Sequence, residues 1–367
     1  MRVHFVYAGR SDRDRYGVAM GRLKRIAQRA GIPVSLVGSR TAPRMEGWMQ
    51  RSPLSITANV FPMLQSRAPT LLYDWTEEIR ISGGSEEILF GHPYPEDVRK
   101  VWNRACRDER FALRVAMFPL SHRMAEENAW FDPYYRHVDG LLGIMGPYWF
   151  DTWDESPFAH WKDKITRVDM AIDASRFPRV KKRFNPPGKR TFFYLGRSAA
   201  MKGTHLLSIL FGLARQHRCL VIGSGPPVRN TEFRPWKFLD LSYMNRLALE
   251  CDFFVTLGVS DPNPTTILEC MAWGFPVCCT PQTGYYGMPE IIPMSITDMR
   301  HNLQKLDELQ YAPEERLLDL ADKARRLVET RFTWERFNRT VRDGLLRAAH
   351  ARGVSIWDDR AIVEGAE

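Results

Sequence analysis

Two carboxylates, Asp261 and Glu269, stand with seven residues between them in the stretch Ser260-Asp-Pro-Asn-Pro-Thr-Thr-Ile-Leu-Glu269. The apolar run Phe253 to Leu257 precedes them and predicts a buried strand. A helix is expected to begin between the two acids. The Asn263 side-chain oxygen would cap it by accepting from the free N–H of Thr265 or Thr266. Pro264 suits the first helical position, where its missing donor costs nothing. Gly274 would end the helix before a second apolar run, Phe275 to Cys279. Both acids then flank the positive end of a helix at the carboxyl end of a strand, which is where open α/β sheets bind ligands. A helix start attracts phosphate, and Glu269 can accept hydrogen bonds from sugar hydroxyls.

Cations stand at a second strand end. Arg197 and Lys202, with Gly196 and Gly203 beside them, follow the run Phe192 to Leu195. Two cations plus backbone N–H groups would stabilise a diphosphate leaving group. Taken alone, they read as solvated surface charges, and Asp261 and Glu269 read as acids complementing a helix dipole. Gly223 and Gly225, in Leu220-Val-Ile-Gly-Ser-Gly-Pro226, either admit a nucleotide close to the backbone or only make a turn.

The register of these segments resembles the retaining glycosyltransferases of family 4 (glycosyl transferases group 1). Their hallmark is an acid, seven residues and glutamate, running into Ala-Met-Ala-x-Gly-x-Pro-Val. This chain reads Asp261 to Glu269 and then Cys270 to Val277, with aspartate where glutamate is usual and Cys270 for alanine. Asp261 reaches about 1.5 Å less than glutamate would. Further segments match in order: Phe192 to Gly203, Leu220 to Pro226, Cys251-Asp252, Thr280 to Gly284 with Thr283 in place of a glycine, and Thr333-Trp334. The likeness runs from about Arg167 to the C-terminus. Before that, only the first strand and its loop are similar.

The resemblance implies the GT-B architecture: an α/β chain with two doubly wound Rossmann-like domains facing across a cleft, and a C-terminal helix crossing back to the first. The expected division is an acceptor-binding domain over 1–177, a basic linker over 178–190, a nucleotide-sugar domain over 191–335, and the crossover helix with a tail over 336–367. The resemblance gives Arg197 and Lys202 the phosphates, Glu269 the ribose and Asp261 the transferred sugar. Gly196, Gly223, Gly225, Asn263, Pro264, Thr265 and Thr266 would surround the nucleotide. In the first domain, Gly17 after Tyr16 resembles a loop facing the donor phosphates. Many family members carry a histidine after a middle strand of that domain. Asp74, in Tyr73-Asp74-Trp75, stands at the comparable place, and His122 competes with it. Asp74 reads equally as a turn cap and His122 as a structural histidine.

The implied reaction moves a sugar from a UDP- or GDP-sugar to a hydroxyl with retention, without a required cofactor or metal. Asp12-Arg13-Asp14 reads as a solvated loop rather than a metal motif. The expected acceptor is a growing glycan or lipid-linked acceptor of a surface polysaccharide or lipopolysaccharide. Two other readings stay open: the same transfer onto a modified base in viral DNA, and a non-catalytic GT-B scaffold.

Composition sets the outer bounds. At 367 residues the chain exceeds the usual size of one core. With 44% hydrophobic and 26% charged residues it has the balance of a soluble enzyme. The net charge of +9 favours polyanionic partners: a nucleotide diphosphate, an anionic membrane surface or nucleic acid. No apolar run approaches a membrane span, and Met1 to Gly9 is too short for a signal peptide. A cytoplasmic location follows, with peripheral contact at the inner membrane face left open. The six cysteines show no metal spacing and are expected as reduced, buried thiols.

Along the chain, strands are expected at Arg2 to Tyr7, Gly31 to Val37, Ala68 to Asp74 and Gly140 to Met145, the last closing the first domain. Helices are expected from the loop after Tyr16 to Ala30 and over Val98 to Arg114. The basic positions Arg10 to Arg25 suggest an anionic partner or a solvated face. The dense aromatics between Trp130 and Trp161 suggest an acceptor cleft or, by default, packing. Long helices near 313–330 and 334–351 close the chain, and the tail after Arg352 is expected to fray.

Overall fold

The computed structural model describes residues 1–7, 56–95, 97–123, 129–235 and 240–357. The loop with Tyr16 and Gly17, the helix to Ala30, the strand at 31–37 and the basic positions Arg10 to Arg25 lie outside these residues.

Six described strands form the first sheet: β1 (Arg2–Val6), β2 (Thr70–Tyr73), β3 (Glu87–Gly91), β4 (Leu113–Pro119), β5 (Gly140–Ile144) and β6 (Ile165–Val168). They pair in parallel in the order β2-β1-β3-β4-β5-β6. Parallel strands are covered on both faces, and Gly140–Ile144 is apolar and buried throughout. Three helices of this half are α1 (Ile56–Gln65), α2 (Val101–Ala105) and α3 (Gly146–Asp151).

Two expectations for this half fail. The stretch Val98 to Arg114 is not one helix. The Asp97 carboxylate takes the N–H of Arg99 and the Asp108 carboxylate that of Arg110, so aspartate turns bound α2 on both sides. Val98 is left 51% exposed, while Val101, Trp102 and Ala105 are buried. The strands β3 and β4 went unread, and Gly140–Ile144 is not the last strand, because β6 pairs beside it from Leu141↔Ile165.

The second sheet contains β7 (Thr191–Arg197), β8 (Arg218–Ser224), β9 (Glu232–Pro235), β10 (Phe253–Thr256), β11 (Val277–Cys279) and β12 (Ile291–Pro293). All are parallel, in the order β12-β11-β10-β7-β8-β9. Helices α4 (Thr204–Leu213), α5 (Leu241–Glu250), α6 (Thr265–Trp273), α7 (Met299–Tyr311) and α8 (Glu314–Arg331) belong to this half. All six cysteines are buried free thiols.

The chain then returns. Helix α9 (Trp334–Arg352) packs on β4, β5 and β6 of the first sheet and on α1. Glycines let it lie close: a Cβ at Gly344 would stand 2.4 Å from Leu142 Cδ2, and one at Gly140 would stand 2.8 Å from Ala348 Cβ. Arg352 fixes the far end by donating to the Ala112 carbonyl at 2.8 Å and to Asp139 at 3.0 Å. Beyond it Ile356 is buried, so the described part of the tail is docked rather than frayed.

The basic segment between the halves is anchored to the second. Lys181 is buried and donates to Asp252 at 2.7 Å and to the Ala248 carbonyl at 2.8 Å. Buried Arg190 donates to the carbonyls of Leu309, Ala312 and Asn185. The N–H groups of Val180 and Lys181 close the end of α6 at the Trp273 carbonyl.

Candidate active site

Strand order in the second sheet reverses between β7 and β10, so a crevice opens at their carboxyl ends. Three loops meet there. The Met201 carbonyl, in the loop after β7, accepts from the N–H groups of Val259 and Ser260, in the loop after β10. Thr280, after β11, donates its hydroxyl to the Gly258 carbonyl at 2.5 Å. The Gln282 carbonyl accepts from Asp261 N–H at 3.3 Å.

These ties bring Lys202 and Asp261 together. Lys202 Nζ lies 2.6 Å from each oxygen of the nearly buried Asp261 carboxylate. Arg197 ends β7 with an exposed side chain that makes no ion pair among the described residues. The Tyr194 hydroxyl donates to the Arg197 carbonyl at 3.1 Å. Burial, then the charge of Asp261, pushes the Tyr194 pKa up, while Arg197 opposes the shift.

Glycines at the crevice have steric reasons. Gly203 has φ 66°, and a Cβ there would fall 1.7 Å from the Leu257 carbonyl oxygen. A Cβ at Gly223 would lie 1.8 Å from the Gly196 carbonyl oxygen, because β7 and β8 run side by side at that point. Gly225 turns the chain with φ 96°.

Asn263 does not cap α6. It adopts φ 49°, and its side-chain oxygen accepts from Met170 N–H at 2.9 Å, in the segment after β6. Pro264 takes the N-cap position without a side-chain bond, and α6 begins at Thr265 with Thr266 next. The first-turn N–H groups of α6 therefore have no side-chain cap of their own. Glu269 lies one turn further on, bonded to Thr265. Burial raises its pKa to about 7, with the Thr265 hydrogen bond opposing. The Tyr285 hydroxyl donates to the Pro264 carbonyl at 3.3 Å. Its pKa is raised by burial first, and then by Asp169, Asp261 and Glu269 among others.

The first domain closes over one side of this crevice. Ser121 Oγ lies 2.6 Å from Ser260 Oγ. Trp149 Nε1 donates to the Gln282 carbonyl at 3.0 Å, and Gln282 Nε2 donates to Tyr148 Oη at 3.0 Å. Gly146 and Gly284 meet almost backbone to backbone: a Cβ on either would come within 2.5 Å of Asn263 Nδ2.

The first-domain candidates separate here. His122 follows Ser121 and sits edge-on to Trp149 and Trp153, with Nε2 3.3 Å from Thr152 Oγ1. It is one residue from the contact with Ser260. Asp74 follows β2, the outermost strand among the described residues, and holds the N–H of Thr76 at 2.8 Å, a turn-capping role. Sequence reasoning missed His92. It follows β3, beside β1, where the order of the first sheet reverses. Tyr7, Trp75 and Phe118 pack their rings around it. The short run Ile88 to Phe90 ahead of Gly91-His92 is the signal that could have found it. Most aromatics between Phe131 and Trp161 are core: Phe131, Tyr134, Trp149, Trp153 and Trp161 are all buried.

No family model matches the sequence, and no curated protein matches it. Solved structures do. TarM aligns with a TM-score of 0.55 at 10% identity over 78% of this chain and 57% of that one. A UDP-forming α,α-trehalose-phosphate synthase from Burkholderia xenovorans gives 0.55 at 9% identity, covering 72% and 75%. Sucrose-phosphate synthase from Thermosynechococcus elongatus gives 0.51 at 15%, covering 71% and 72%.

The fold is GT-B. In GT-B terms, the crevice at the ends of β7 and β10 faces the first domain, and α9 is the helix that returns to it. The chain spans only 57% of TarM's length.

Proposed function

We propose that this chain is a glycosyltransferase that moves a sugar from a nucleotide-diphosphate sugar to a hydroxyl acceptor with retention of configuration. The observation that carries the reading is the Lys202–Asp261 pair at the strand-order reversal, with exposed Arg197 and the uncapped start of α6 at the same strand ends. A diphosphate would draw Lys202 from Asp261 and add Arg197 and the helix N–H groups, offsetting the negative charge of the leaving group. Asp261 would then turn to the sugar hydroxyls. Glu269 would accept from the ribose. A leaving-phosphate oxygen would take the proton of the acceptor hydroxyl as the acceptor oxygen bonds to the anomeric carbon on the same face and the bond to the diphosphate breaks, and no enzyme carboxylate needs to attack.

The division into domains at 1–177, 178–190, 191–335 and 336–367 belongs to the same reading, as does a cytoplasmic site of action on a surface glycan or its lipid-linked precursor. No described helix is long and apolar enough to cross a membrane. The groups of acids, histidines and cysteines among the described residues include no set arranged to hold a metal ion. Among proteins of similar fold, a variant of S. aureus TarM was solved with fondaparinux, α-GlcNAc-glycerol and UDP. The pneumococcal O-GlcNAc transferase GtfA was solved with UDP and GlcNAc.

Thermal unfolding with UDP, GDP and their sugar conjugates tests the reading, since a ligand of the folded state raises the melting temperature. At least one nucleotide should raise it, and Arg197→Ala and Glu269→Ala should abolish donor hydrolysis while staying folded. A chain that binds no nucleotide and turns over no donor would instead be a scaffold.

A further inference from the structure

Gln282 is the residue through which the first domain touches the backbone of Asp261. Its carbonyl oxygen accepts two donors, Trp149 Nε1 at 3.0 Å from the first domain and Asp261 N–H at 3.3 Å within the second. Its side chain donates to Tyr148 Oη at 3.0 Å. Tyr148 and Trp149 are neighbours on α3, so one helix holds both ends of Gln282. One residue before Asp261, Ser260 makes a further cross-domain contact, with Ser121 at 2.6 Å.

We propose that Gln282 is a positioning residue whose grip by Tyr148 and Trp149 couples closure of the first domain to the setting of Asp261. The inference rests on the glycosyl-transfer reading for its catalytic consequence, but the coupling itself does not. When α3 moves away, the Gln282 carbonyl loses its indole partner and the 257–264 loop loses one of its restraints from the first domain. Pro262 follows Asp261 and offers no N–H of its own, so this carbonyl bond restrains the backbone of the acid while Lys202 holds its carboxylate. The contact is built to release. Gln282 Oε1 is buried and has no hydrogen-bond partner among the described residues. An unpaired buried oxygen penalises the closed state, and opening would hydrate it. Asp261 would thus reach its working position only when both domains are together, which limits loss of the donor sugar to water before an acceptor arrives.

The test uses the full chain with Trp149→Phe and Tyr148→Phe. The second variant removes only a half-exposed hydroxyl, so it preserves the fold even if the first does not. Two readouts are needed. In hydrogen–deuterium exchange, peptides covering residues 257–264 should exchange about tenfold faster in Trp149→Phe, the worth of one hydrogen bond, and more modestly faster in Tyr148→Phe. Peptides from 317–328 should not change. In kinetics, kcat for transfer should fall in the same order, while the melting shift produced by UDP or GDP stays at its parental value. Unchanged exchange at 257–264 in both variants overturns the coupling. Faster exchange with undiminished transfer, or loss of the nucleotide shift in step with transfer, overturns the positioning role. If the parent binds neither nucleotide, the glycosyl-transfer reading falls, and the exchange comparison still decides the coupling.

Discussion

Lys202 Nζ sits 2.6 Å from both oxygens of Asp261, so the cation expected to grip phosphate is held by the acid expected to face the sugar. Each group keeps the other in place. Replacing Lys202 by Met would strand a carboxylate that is almost buried, at a cost of roughly 2 kcal/mol. Lys202→Met/Asp261→Asn should recover most of that stability in urea unfolding. Both variants should lose transfer by about 100-fold or more, because the double change restores folding but not the charge on the leaving group.

Glu269 gives a pH signature. Burial raises its pKa in the folded chain to about 7, above the usual carboxylate value. The folded state therefore holds a proton that the unfolded chain releases. Stability from this group is fully present below the unfolded pKa and is lost as pH rises towards about 7. Glu269→Gln should leave stability unchanged near pH 4 and add on the order of 2 kcal/mol near pH 8, measured by urea unfolding at both values. Donor affinity should run the other way in the parent, tightening as Glu269 ionises to accept from the ribose. In Glu269→Gln that pH dependence should flatten.

The crevice glycines should not behave alike. Gly203→Ala would drive a methyl to 1.7 Å from the Leu257 carbonyl oxygen at φ 66°, with backbone on both sides. A loss of more than about 3 kcal/mol is expected, or failure to fold. Gly287 has φ 69° with open space around a Cβ, so Gly287→Ala should cost only about 1 kcal/mol of backbone strain. Melting temperatures of the two variants side by side check this, and equal losses would contradict it.

His92 and Asp74 make opposite claims on the first domain. His92 stands at the strand-order reversal of the first sheet and Asp74 beside its outermost described strand. His92→Ala is expected to lower kcat for transfer by about 100-fold, and Asp74→Ala to change it little. The reverse ranking would return the acceptor-facing role to Asp74.

The second domain was largely readable because its central parallel strands are dominated by apolar runs, as in Phe192 to Leu195 and Phe253 to Val255. The first domain hid two strands. β3 contributes only Ile88, Leu89 and Phe90 before Gly91. β4 carries Arg114, whose buried guanidinium lies near Asp139 and the Cys106 carbonyl, so the residue looks solvated in sequence. Asn263 is a good cap by type, but its left-handed backbone and its bond to Met170 N–H turn it into a contact between domains. The linker misleads in the same way. Lys181 and Arg190 read as solvent-facing charge, yet their partners Asp252, Leu309 and Ala312 lie far along the chain. Pairings between distant residues leave no local pattern to read.

The return of α9 sets an order on biosynthesis. The sheet begun by Arg2–Val6 keeps the face around Gly140 and Leu142 uncovered until Gly344 and Ala348 have left the ribosome. By then every strand of the later sheet is already made. The half translated first is therefore the half completed last, and its bare apolar surface stays exposed while the later sheet is being made.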